Sequence, residues 1–116
     1  MKQGKIWGET EVILKTPCIE VHRITIEPYM KCSMHKHNHK WNAFYVLDGE
    51  LSIITEKNDY DLTDRTELFQ GDFTTVKPGE YHQFETGEFD CVALEIYYPE
   101  KLSEDIVRKT VGGHSL

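Results

Sequence analysis

The sequence predicts an all-β fold, a sandwich or barrel of short strands, and three observations carry that prediction. Apolar and β-branched residues recur in short runs, with helical spacing confined to the tail. Turn pairs separate the runs, among them Asp48-Gly49, Gly71-Asp72 and Pro78-Gly79. The chain has 116 residues and no repeat, low-complexity tract or linker-like stretch, so a single domain over residues 1–116 is expected.

Taken in order, CIEVHRITIE (18–27) alternates at Ile19 and Val21, then shifts phase to Ile24 and Ile26. That shift suggests a bulge, or a strand buried on both faces. WNAFYVL (41–47) is nearly continuous apolar, as in a strand covered on both sides. Asp48-Gly49 reads as a hairpin turn from which ELSIITE (50–56) returns. KNDYDLTDRTELFQ (57–70) is polar and reads as a loop holding at most one short edge strand. FTTV (73–76) and YHQFET (81–86) are further strands, parted by Lys77-Pro78-Gly79. CVALEIYY (91–98) puts Val92, Leu94, Ile96 and Tyr98 on one face and Cys91, Ala93, Glu95 and Tyr97 on the other. A short C-terminal helix is expected in the tail, with Ser103 capping Glu104 to Thr110 and Gly112-Gly113 ending it.

Thirteen basic against twenty acidic residues leave a net charge of −7. That balance argues against a nucleic-acid or anionic-membrane surface, while a local basic cluster could still take a small anion. The opening MKQGKIWGETEV lacks the apolar run of a signal peptide. No stretch approaches the roughly 20 apolar residues of a membrane span. Cys18, Cys32 and Cys91 are odd in number and form no CxxC pair. Free thiols in a reducing, cytoplasmic setting suit them better than a disulfide framework. Cys32, three residues before His35, could line the same cavity, although a small core residue is the plainer reading.

The stretch MHKHNHKW (34–41) holds His35, His37 and His39 at alternate positions. Strand neighbours two apart lie about 6.5–7 Å from one another on one face, so two such imidazoles converge on one ion if the strand curves inward. A third ligand must come from elsewhere, and His82 is the natural candidate because it starts a strand after a glycine-bearing turn. Imidazole suits zinc, manganese, iron or nickel, and ligand identity does not separate these. The competing reading is a polar loop in which the histidines alternate with Lys36 and Lys40. His22 and His114 carry no motif.

The surroundings decide between the two, because they resemble the cupins, double-stranded β-helix or jelly-roll barrels with two short metal-binding motifs. HKHNHKWNAFYVLDG (35–49) is similar to the first motif, with His35, His37, Asn42 in the glutamate slot and Gly49. GDFTTVKPGEYHQFET (71–86) is similar to the second, with Gly71, Lys77 in the proline slot, Gly79, His82, and Thr86 in the asparagine slot. The resemblance implies one divalent metal ion (manganese, zinc, nickel or iron) on His35, His37 and His82, with Asn42 as a weak, neutral fourth ligand. His39 falls outside the ligand spacing, as a substrate-contact or surface residue.

A narrower likeness is to the cupin domain of type II mannose-6-phosphate isomerases, often fused to a mannose-1-phosphate guanylyltransferase. It rests on Ile6-Trp7-Gly8, on VHRITIEPY (21–29), and on Ser103 to Arg108. It implies metal-assisted aldose–ketose isomerisation of a small-molecule sugar phosphate. Glu95 or His39 would be the catalytic base, and Arg23, Lys77 or Arg108 would meet the phosphate. In that relative Gln fills the slot of His35, and a Tyr-Gly-Arg segment stands where this chain has VGGHSL. Two other classes stay open: a three-histidine iron or nickel dioxygenase, and a non-catalytic cupin that binds a sugar or sugar nucleotide. A homodimer is expected, with N-terminal strand exchange as one route and Trp7, Ile13 and Leu14 as its apolar surface.

Overall fold

The computed structural model describes residues 1–56, 62–99 and 107–115. Among them lie nine strands: β1 (Lys2–Lys5), β2 (Gly8–Lys15), β3 (Glu20–Ile26), β4 (Trp41–Asp48), β5 (Leu51–Glu56), β6 (Thr63–Leu68), β7 (Phe73–Val76), β8 (His82–Glu85) and β9 (Cys91–Tyr98). They form a six-stranded sheet in the order β1-β2-β3-β9-β4-β7 and a three-stranded sheet in the order β6-β5-β8. Every strand pairing is antiparallel.

The core lies between the two sheets. Ile24 and Ile26 of β3, Phe44 and Val46 of β4, Ala93 of β9, and Leu51 and Ile53 of β5 meet there, with Trp7 packed edge-on against Phe84 at 5.0 Å. Polar residues close one end of this interior. Along β3 the inward row runs from His22 to Ile24 and Ile26; along β4 from Asn42 to Phe44 and Val46; along β9 from Tyr97 and Glu95 to Ala93 and Cys91. The barrel therefore has an apolar floor and a polar mouth.

That gradient revises two expectations. Strand β3 runs in regular register, its phase change being the passage from mouth to floor; the bulge sits opposite, in β2, between Val12 and Leu14. Residues 48–50 are a corner rather than a hairpin turn, because β4 belongs to one sheet and β5 to the other. Gly49 lets the backbone pass there: its φ is 85°, and a Cβ would run into the carbonyl oxygen of Asp90. Strands β1 and β2 supply the N-terminal strand expected only in outline; their residues are largely exposed and carry weak alternation.

Of the helix expected over 104–110, residues 104–106 lie outside the described residues, and Val107 to Thr110 are not helical. Val107 is 95% exposed, so it adds no buried apolar contact to offset the cost of nucleating a short helix. Among the described residues no helix is long and apolar enough to cross a membrane. The cysteines are unpaired, with Cys18 exposed, Cys32 partly buried and Cys91 buried.

Candidate metal centre

His35 and His37 sit on the segment between β3 and β4, where the backbone makes an isolated bridge to β8. The His35 amide donates to the His82 carbonyl at 3.0 Å, and the His82 amide donates back to His35 at 2.8 Å. The Gly79 amide donates to the His37 carbonyl at 2.7 Å, which ties the turn before β8 to the same segment. These bonds bring together rings 45 or more residues apart in sequence: the His35 and His82 centroids lie 4.6 Å apart, and those of His37 and His82 5.5 Å. One ligand atom from each of the three lies within 4.8 Å of the others.

Second contacts orient two of the rings. His35 Nδ1 lies 2.8 Å from the Ser33 carbonyl, and His82 Nδ1 lies 3.1 Å from the Glu80 carbonyl. A backbone carbonyl on one ring nitrogen is the usual way a metal-binding imidazole is held, leaving the other nitrogen to the ion.

Asn42 is buried beside them. Its Nδ2 donates to the Ile96 carbonyl at 3.2 Å, which turns Oδ1 toward His82 Nε2 at 3.0 Å. Both nitrogens of His82 thus face oxygens that only accept. A neutral imidazole carries one N–H, so one contact lacks its proton. Burial pushes the His82 pKa down, which disfavours a second proton. A cation between Nε2 and Oδ1 would satisfy both lone pairs. His37 Nε2 is likewise buried with no hydrogen-bond partner. Burial, then the charges of Lys40, His35 and His82, lower the His37 pKa to about 4, so its ring is in the neutral, ligating form. Three imidazoles and an amide oxygen, held with unmet lone pairs, fit a divalent ion of the zinc, nickel, iron or manganese kind.

A cavity of about 270 Å³ opens beside His35, walled by Trp7, Phe84, Cys32, Glu95 and Tyr97. Glu95 is 8% exposed and projects into this interior, across from His22 on β3 and Phe44 on β4. Tyr97 and Asn42 beside its carboxylate favour the charged form. Burial nonetheless raises its pKa. Cys32 Sγ accepts the Phe84 amide at 3.2 Å, and burial pushes its thiol up to about 11. Thr86 is structural: it donates to the Glu27 carbonyl at 2.6 Å and accepts the Met30 amide at 3.0 Å.

The remaining candidates lie elsewhere. His39 is exposed and lines a separate cleft of about 330 Å³, with Lys40 and Tyr97. Arg23, Lys77 and Arg108 are exposed, and none lines the 270 Å³ cavity; the cation at its wall is Lys5, from β1. Sequence reasoning missed Tyr97 and His22 as cavity residues. Strand parity carried the signal for both, since Tyr97 shares the face of Glu95 and His22 that of Ile24. His22 is held by Glu20 Oε2 at 2.7 Å and Thr10 Oγ1 at 3.2 Å.

Two antiparallel sheets around a polar mouth, with a histidine cluster gathered from two distant segments, define a β-barrel with a candidate metal centre. Residues 22–97 match the cupin domain model, and the chain belongs to that family. It is similar to the mannose-1-phosphate guanylyltransferase of Klebsiella pneumoniae, 29% identical over 100 residues that cover 85% of this chain and 20% of that protein. It is also similar to the mannose-1-phosphate guanylyltransferase of Escherichia coli, 26% identical over 106 residues, 88% of this chain and 21% of that one. The chain spans about a fifth of the length of these curated relatives. Among solved structures it is similar to KdgF from Halomonas sp. (TM-score 0.73, 16% identity, 87% of this chain and 89% of that chain). A capsular polysaccharide assembling protein, CapF from Staphylococcus aureus, has a TM-score of 0.76 at 20% identity over 89% of this chain and 29% of that one. At these identities the structural likeness concerns the fold.

Proposed function

We propose that this cupin binds one divalent metal ion through His35, His37 and His82, with Asn42 alongside, and catalyses metal-assisted proton transfer on a small hydroxy-carbonyl compound. The observation that carries this reading is His82, whose two ring nitrogens both face acceptor oxygens. A bound metal supplies Lewis acidity toward the ligand's oxygens. Glu95 is the base. Its carboxylate is buried at the cavity wall, and burial brings its pKa closer to neutral pH, where a carboxylate takes and returns a proton more effectively. Trp7 and Phe84 form an apolar wall that keeps water from one side of the cavity.

The likeness to the guanylyltransferases supports a sugar phosphate as the compound and mannose-6-phosphate isomerisation as the reaction. A phosphate would be met at the cavity by Lys5 rather than by Arg23, Lys77 or Arg108. Residues 1–116 are read as one cupin domain. Its donor set, neutral throughout, favours a second reading, oxygen-dependent chemistry at iron or nickel, and oxygen uptake with substrate distinguishes it.

Elemental analysis of untagged protein comes first, with one equivalent of metal per chain expected in the unmodified protein and none in His82→Ala. Unchanged metal content in that variant overturns the site. With metal in place, aldose–ketose exchange of hexose phosphates is measured, and Glu95→Gln is expected to lose at least a hundredfold in rate while keeping its metal. A Glu95→Gln protein as fast as the parent overturns the base assignment alone.

A further inference from the structure

His22 of β3 lies directly across from Glu95 of β9 and lines the same cavity of about 270 Å³. Its ring is held on three sides. Nε2 lies 2.7 Å from Glu20 Oε2, Nδ1 lies 3.2 Å from Thr10 Oγ1, and Tyr97 packs edge-on with centroids 5.7 Å apart. Lys15 Nζ, 3.5 Å from Glu20 Oε1, steadies the other oxygen of that carboxylate. The hydrogen bond with His22 is the main cause that holds the Glu20 carboxyl below its ordinary range, so Glu20 is charged and accepts from Nε2–H. A neutral imidazole has one N–H, which leaves Nδ1 a bare acceptor for the Thr10 hydroxyl. Thr10 also lines the cavity. A hydroxyl gives and receives at once, so a ligand O–H that donates to Thr10 Oγ1 is coupled through it to His22 Nδ1.

We propose that His22, through Thr10, moves the hydroxyl proton of the aldose–ketose shift while Glu95 moves the carbon-bound one. This rests on the isomerase reading of the cavity and adds a second proton-transfer residue to it. The shift needs both transfers. A C–H bond breaks at the hydroxyl-bearing carbon and another forms at the carbonyl carbon. An O–H bond breaks at the hydroxyl oxygen and another forms at the former carbonyl oxygen. The carbonyl carbon is reduced and its neighbour oxidised, so no outside oxidant or reductant enters. Midway, the carbon-derived proton resides on Glu95, so that carboxylate is occupied when the oxygens must exchange theirs. Among the described residues, the other titratable groups at the cavity wall are Lys5, His22, Cys32, His35 and Tyr97. On the same reading His35 holds the metal and Lys5 the phosphate. Burial pushes the Cys32 thiol up to about 11 and raises the Tyr97 hydroxyl too, so both keep their protons. An imidazole gives and takes a proton near neutral pH. His22 Nδ1 takes the proton of the hydroxyl oxygen by way of Thr10 and returns it to the former carbonyl oxygen. Between these steps the ring is an imidazolium whose Nε2–H stays on Glu20. Glu20 is thus a positioning residue, fixing the tautomer and stabilising the transient charge.

Two rates measured on one substrate test this. Mannose 6-phosphate carrying deuterium on the hydroxyl-bearing carbon beside the aldehyde is given to the metal-loaded full chain. Loss of deuterium to water reports the carbon transfer, and ketose formation reports both transfers. His22→Gln is expected to form ketose about a hundredfold more slowly, while deuterium loss into recovered aldose continues near the parent rate. Glu95→Gln is expected to lose both, and metal content is expected to stay at one equivalent in each. If His22→Gln does not fold, Thr10→Val removes the relay hydroxyl alone and is expected to shift the same ratio. A second readout needs neither metal nor turnover: nitrogen NMR of the metal-free protein at mildly alkaline pH is expected to find the His22 proton on Nε2 and Nδ1 bare. A proton on Nδ1 overturns the relay. An unchanged ratio of the two rates in folded His22→Gln overturns the proposal, whether both rates fall together or neither does. A parent that neither releases deuterium nor forms ketose overturns the isomerase reading itself, and the role of His22 with it.

Discussion

His82 Nε2 points at Asn42 Oδ1 across 3.0 Å, an acceptor facing a ring nitrogen whose partner nitrogen already faces the Glu80 carbonyl. Asn42 cannot turn its amide to relieve this without giving up the bond from Nδ2 to the Ile96 carbonyl. One of these contacts lacks a proton, and the charge at the pair can be altered at one atom.

Asn42→Glu puts a carboxylate where the amide oxygen stands. Metal affinity is expected to rise at least tenfold, since a charged oxygen replaces a neutral one. Without metal the new carboxylate would lie buried near Glu95, and the metal-free variant is expected to lose about 2–4 kcal/mol of stability. Competition against a chelator and denaturant melts of the stripped protein check the two halves.

The metal-free protein is expected to weaken as pH falls. His37 has a folded pKa of about 4, below the 6.5 of an unfolded chain. The unfolded state therefore binds more protons between these values. The full contribution is present above pH 6.5, is lost progressively toward pH 4, and does not change further below that. Partial exposure limits it to about 1–2 kcal/mol. Urea denaturation at steps across this range should show a shallower pH dependence in His37→Gln than in the parent.

Tyr29 has φ of 56° and is 75% exposed, so it occupies the left-handed region without a burial gain to offset it. Tyr29→Gly is expected to leave stability unchanged or raise it by up to about 1 kcal/mol, against the usual penalty of a glycine substitution. A drop in melting temperature of several degrees would contradict this.

Gly8 carries the opposite constraint. A Cβ there would strike the Thr25 carbonyl oxygen on β3, so Gly8→Ala must pry β2 from its neighbour. A loss of about 2–4 kcal/mol is expected, read from thermal or urea denaturation.

Much of this was legible in the sequence. WNAFYVL, FTTV and CVALEIYY stand as β4, β7 and β9 within a residue of their expected bounds. His35, His37 and His82 come together as their spacing required. What escaped was direction. An apolar row reads as a core row, yet Val92, Leu94 and Ile96 face outward, and the inward row carries Glu95 and Tyr97 because the barrel mouth is polar. The phase change in 18–27 had the same origin, His22 belonging to the mouth and Ile24 to the floor. Where Glu95 and His39 sit needed the third dimension, since only the fold reveals that one lines the cavity of His35 and the other a different cleft.

The backbone around His35 and His37 is held by little of its own, with an isolated bridge to His82 and one bond from Gly79. It belongs to neither sheet. An ion shared by these histidines and His82 would fasten this stretch to β8 like a buckle, so local opening of the barrel mouth would slow with metal supply while the floor stayed unaffected. Proteolytic clipping between β3 and β4 would then report metal starvation before any global unfolding did.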